Sequence, residues 1–138
     1  TIRDEDLVTR AAERGECLVA AMRDVASRSE VLGKVRGQGL MVGVDVVSRG
    51  TEKLDPMTSL IVEAECLHRG LVVGCSALSG VLRILPPLIL TDEEVAEAAS
   101  KLEEAVTYVT TETLDLSRYM PRRAGSFRLA ATFLGKLG

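Results

Sequence analysis

Val81-Leu82-Arg83-Ile84-Leu85-Pro86-Pro87-Leu88-Ile89-Leu90 sets one permanent charge inside an apolar run. Burying an unpaired guanidinium is very costly, so Arg83 must meet a partner or reach water. Val81–Leu85 reads as a strand, and Pro86 ends it because proline has no N–H for a sheet ladder. Thr91-Asp92-Glu93-Glu94 then opens a helix over Thr91–Val109. Thr91 and Glu94 make a capping box, and Leu90 with Val95 can staple it. Val95, Ala98, Leu102, Ala105, Val106 and Val109 form its buried stripe.

Upstream of the run, Ser76–Gly80 reads as a hairpin loop and Leu71–Cys75 as the antiparallel partner strand. Met57–Arg69 reads as a helix entered through Asp55-Pro56 and closed by His68, Arg69 and Gly70. That position makes His68 a cap or a surface residue rather than a catalytic base. Leu40–Val47 alternates as a strand, with Leu40, Val42, Val44 and Val46 on one face. Asp45 lies on the other face; it can partner a cation, although an exposed place at a strand end is the plainer reading.

Val31–Gly39, with glycines at 33, 37 and 39 beside Lys34 and Arg36, reads as a connecting stretch. A phosphate cradle there is disfavoured, because a strand follows it and not a helix N-terminus. Residues 4–28 read as a helix striped by Leu7, Ala11, Leu18, Met22 and Val25, which Gly15 weakens by roughly 1 kcal/mol relative to alanine.

The element order is therefore α-β-α-β-β-α. It predicts an α+β, two-layer fold: a three-stranded antiparallel sheet in the order 1-3-2, with helices on one face. The strand of Arg83 is then central, and its arginine looks into a cleft or toward a second body over the far face. Residues 1–109 make this domain; 110–138 form a tail. Arg118, Arg122, Arg123, Arg128 and Lys136 make the tail basic, and Phe127, Leu129, Phe133, Leu134 and Leu137 make it weakly amphipathic.

With 138 residues the chain can bury one core, and a net charge of −3 argues against nucleic acid as a partner. No apolar run is long enough to span a membrane. Cys17, Cys66 and Cys75 are widely spaced and fit reduced, buried or half-buried thiols of a cytoplasmic protein. One histidine and no paired cysteines give no metal site. A start at Thr1 fits a fragment or a processed product.

Three segments carry a family resemblance: Gly37-Gln38-Gly39-Leu40-Met41-Val42-Gly43-Val44, then Cys66-Leu67-His68-Arg69-Gly70-Leu71-Val72-Val73, then Gly80–Leu88 followed by Thr91–Val95. In this order and spacing they resemble the class III pyridoxal-phosphate-dependent aminotransferases, fold-type I enzymes of the ornithine, acetylornithine and 4-aminobutyrate aminotransferase kind. The resemblance implies the C-terminal small domain of such an enzyme, with pyridoxal 5'-phosphate as cofactor and an amino acid and a keto acid as substrates. It also implies that Arg83 binds the substrate carboxylate, and that the partner of this domain is the large domain of the same enzyme. In that family the Schiff-base lysine and the main cofactor-binding residues belong to the large domain.

The resemblance therefore assigns no catalytic, cofactor-binding or metal residue here, and the chain alone is expected to be inactive. Lys34, Lys53, Lys101 and Lys136 all lack the apolar setting a Schiff-base lysine needs. Homodimerisation and the amino donor stay open. So do two alternatives: a stand-alone carboxylate- or protein-binding module, and a remnant without activity.

Overall fold

A computed structural model describes residues 5–76 and 78–112, with only the backbone described at Glu5. Its elements run α1 (Glu5–Ser27), β1 (Leu32–Gln38), β2 (Met41–Val46), α2 (Pro56–His68), β3 (Gly74–Cys75), β4 (Val81–Ile84) and α3 (Asp92–Thr111). All sheet pairings are antiparallel, and the order is β1-β2-β4-β3. The fold is mixed α and β, but the expected three-stranded sheet of order 1-3-2 is corrected to four strands in this new order.

The added strand is β1, in the stretch read as a connection and weighed as a phosphate cradle. Leu-Gly-Lys-Val-Arg-Gly-Gln carries only two apolar residues, so its alternation is faint. It is an edge strand, and only one of its faces meets the core. A two-residue loop, Gly39-Leu40, joins it to β2, with Gln38 opposite Met41. Gly39 has φ 56° and Leu40 is not among the residues of positive φ, the pattern of a II′ hairpin turn.

This turn explains Gly15. A methyl group there would overlap the carbonyl of Gly39, so α1 needs a glycine where the hairpin crosses it. The expected strand Leu71–Cys75 shrinks to Gly74–Cys75, because only those two residues pair with β4.

Val42, Val44, Val46, Leu82 and Ile84 point to one side and are buried under the helices, with Leu18, Met22, Ile61, Val62, Leu102 and Val106 opposite them. α1 packs on β1 and β2, α2 on the β3–β4 side, and α3 against both helices. A charged clamp adds to the α2–α3 seam: fully buried Glu65 pairs with Arg69, whose guanidinium lies 5.5 Å from the centre of the Tyr108 ring.

Both helix entries follow the sequence. Thr91 and Glu94 complete the capping box, with Leu90 and Val95 buried beside it. Asp55 caps α2 by accepting from the Thr58 N–H at 3.0 Å and the Thr58 hydroxyl at 2.8 Å. Gly70, at φ 79°, closes α2 while Leu71 N–H reaches the Cys66 carbonyl at 2.9 Å.

Two further expectations need comment. Cys66 is buried and Cys75 half-buried, but Cys17 is exposed on α1, outside the apolar stripe. α3 extends through Thr110 and Thr111, the first two residues of the stretch expected as a tail. The tail's remaining basic and apolar residues lie outside the described residues. No helix among the described residues is long and apolar enough to cross a membrane.

Candidate functional site

β4 runs between β2 and β3, so its backbone is bonded on both sides and Arg83 stands on a fixed base. Leu82 and Ile84 turn into the core, and alternation turns Arg83 to the face that no helix covers. It is exposed there and has no ion-pair partner among the described residues. The cross-strand row through it reads Arg36, Gly43, Arg83, Gly74. Both immediate neighbours of Arg83 therefore lack side chains. One step along, Met41 and Leu85 continue the same face, 65% and 66% exposed.

The second charged feature of this face is an ion pair. Arg36 Nη1 donates to Asp45 Oδ2 at 3.1 Å. Nη2 lies 2.7 Å from Oδ1 but off the bonding direction, so Oδ1 is held by charge and accepts no hydrogen bond. Asp45 is only 9% exposed, against the plainer expectation of a solvated strand end. The pairing was hidden in the sequence because β1 was hidden. Once Gln38 opposes Met41, Arg36 opposes Gly43 and lies diagonal to Asp45, within reach of a long side chain.

Other residues weighed for chemistry lie elsewhere. His68 is exposed in the last turn of α2. Lys34 and Lys53 are exposed, Lys101 pairs with Glu97 at 2.6 Å, and Lys136 is outside the described residues. No lysine among the described residues thus has the dry setting that forms a Schiff base with pyridoxal phosphate, and these residues do not fit that group's covalent seat. No three His, Cys, Asp or Glu side chains among the described residues gather to hold a metal ion.

Two hollows also miss Arg83. One, of about 450 Å³, runs under Pro86 and Pro87 between Leu71, Ile84 and Ala98. The other, of about 860 Å³, is an open groove past the Arg49–Glu30 ion pair. The chemistry that remains is recognition: a planar guanidinium on a rigid strand, beside bare backbone and without an ion pair among the described residues, suits a carboxylate held by two parallel hydrogen bonds.

Known proteins resemble this chain in sequence and in fold. The family model described as "Aminotransferase class-III" matches residues 1–106. An alanine/serine racemase of Pyrococcus horikoshii is 35% identical over 106 residues, which is 76% of this chain and 22% of the racemase. A taurine–pyruvate aminotransferase of Rhodobacter capsulatus is 32% identical over 112 residues, covering 76% of this chain and 24% of that enzyme. Among solved structures, a transaminase from directed evolution by ancestral reconstruction superposes with a TM-score of 0.72 at 30% identity, over 81% of this chain and 25% of its own. The chain spans about a quarter of the length of the proteins it matches.

Proposed function

This chain belongs to the class-III aminotransferases, and from that membership we propose that it is the C-terminal, small-domain part of a pyridoxal-phosphate-dependent enzyme. The enzyme moves an amino group from an amino acid to a keto acid, and Arg83 holds the substrate's carboxylate. The observation that carries the assignment is Arg83 itself: exposed on an interior strand, without an ion-pair partner among the described residues, and flanked by Gly43 and Gly74.

Geometry supports the role. β4 cannot shift without breaking ladders on both sides, so the guanidinium's base is fixed before substrate arrives. Two parallel N–H···O bonds would then fix the plane of the carboxylate, which a lysine ammonium cannot do. Bound pyridoxal phosphate supplies the electron sink for the change at the amino-bearing carbon. This chain's part is to bind and orient. The uncovered face, with Met41 and Leu85 beside Arg83, is where the rest of the enzyme closes over the substrate. The free thiols fit a reducing compartment such as the cytoplasm.

Arg83→Lys in an enzyme containing this chain tests the assignment. Losing a two-point charged hydrogen bond is worth about 1.5–3 kcal/mol, so KM for the amino acid should rise roughly 10- to 100-fold. An unchanged KM would leave Arg83 as a packing residue. The racemase relative favours a second reading, in which the same carboxylate clamp serves racemisation. Amino transfer to a keto acid, measured directly, separates the two.

A further inference from the structure

The face around Arg83 carries a second guanidinium two strands away. Arg36 and Arg83 both oppose Gly43, one from each side, so their Cα atoms are about 10 Å apart at ordinary strand spacing. The strand position between them is Gly43, which contributes no side chain of its own, with Val81 and the Arg36 stem beside it. Gly43 is not glycine for the backbone's sake: its φ is not positive, and a methyl there would meet Val81 and Arg36 only at ordinary contact distances, 3.6 and 3.8 Å. The gap is thus open sheet, wide enough for a short dicarboxylate to span two arginines. What separates the arginines chemically is Asp45, which engages Arg36 through both terminal nitrogens and leaves Arg83 the arginine of the row without an ion pair among the described residues.

We propose that Asp45 is a specificity-determining residue of this face: by holding Arg36 it leaves one guanidinium open, so that the site engages one carboxylate of a molecule and gains nothing from a second. The inference rests on the carboxylate reading of Arg83 and adds the residue that sets how many carboxylates are accepted. Asp45 suits the task because it is not exchangeable with solvent anions. It is 9% exposed, its Oδ1 accepts no hydrogen bond, and its ion-pair partner among the described residues is Arg36. A dicarboxylate reaching for Arg36 must displace a buried carboxylate whose charge would then be stranded.

The test titrates the 138-residue chain with propionate and with glutarate at low salt, following the arginine Nε–Hε NMR resonances. In the wild type, both anions should shift Arg83 alone and bind with similar affinity. In Asp45→Asn, glutarate should also shift Arg36 and bind about fivefold more tightly than propionate, the upper range for one solvated ion pair. The double variant Arg36→Gln/Asp45→Asn, which lacks the freed guanidinium, should return to equal affinities. If Arg83 responds but Asp45→Asn leaves the glutarate-to-propionate ratio at the wild-type value, the role of Asp45 is overturned and the carboxylate reading stands. If Arg83 responds to neither anion in any variant, both readings fall. Should Asp45→Asn fold poorly, the wild type decides: a shift of Arg36 by glutarate with Asp45 in place overturns the proposal.

Discussion

Single side chains here owe their chemistry to which way a strand or helix turns them. Cys66 and Cys17 show the contrast. Burial pushes the Cys66 thiol up to about 12, with Arg69 pulling weakly the other way. Cys17 is exposed. The thiolate is the reactive form, so a pulse of alkylating agent at about pH 8 on the folded chain should label Cys17 and spare Cys66. Peptide mass spectrometry reads this directly, and labelling of Cys66 at the Cys17 rate would mean its burial is wrong. The sequence placed Cys17 with the hidden thiols. A helix stripe shows which positions face the core, but thiols are small and polarisable enough to sit on either side of its edge. Arg83 was legible at this scale, because a charge among aliphatics is an anomaly in any sequence. Asp45 was not, since its partner sits on a strand with almost no hydrophobic signature.

At the scale of elements, local signals did well where they were chemical and poorly where they depended on a neighbour. The Thr91–Glu94 box, the Asp55-Pro56 entry and the Gly70 exit appear as read. Strand β1 and the shortened β3 did not, because edge strands need few apolar residues and β-propensity follows context. Gly15 illustrates the difference. Propensity alone says that Gly15→Ala should stabilise α1 by about 1 kcal/mol. The structure says the opposite, because the new methyl would meet the Gly39 carbonyl; overpacking of this kind costs about 1–3 kcal/mol. The urea midpoint of Gly15→Ala should therefore fall, and a rise would show that the β1–β2 hairpin does not cross α1 there.

The α2 cap gives a pH dependence with a definite sign. Burial would raise the Asp55 carboxyl, but bonds from the Thr58 N–H, the Thr58 hydroxyl and the Ser48 hydroxyl outweigh it and hold it below its ordinary 3.8. A lowered carboxyl contributes stability that is present above the ordinary value and lost as pH falls below it. Asp55→Ala should cost about 1 kcal/mol at neutral pH. That cost should shrink as the pH is taken below 3.8. Urea unfolding of both proteins across that range checks it; a gap that widens in acid would contradict the cap.

For the whole molecule, the central fact is a sheet with helices on one side and nothing on the other among the described residues. Layer logic gave the helical side, since Val42, Val44, Val46, Leu82 and Ile84 demand cover. It left the opposite face to the arginine, whose carboxylate-binding role is a proposal drawn from family resemblance. The covalent half of the chemistry was never legible here, because no described lysine stands in an apolar setting. The chain supplied with pyridoxal phosphate, an amino acid and a keto acid should accordingly show no turnover, and measurable turnover would overturn its place as part of a larger enzyme.

The most direct test of the Arg83 assignment compares two substrates in an enzyme containing this chain: an amino acid, and the amine that lacks only its carboxylate. Arg83→Lys should raise KM for the amino acid roughly 10- to 100-fold and leave KM for the amine unchanged. Equal effects on both substrates, or none on either, would contradict the claim that Arg83 holds the carboxylate.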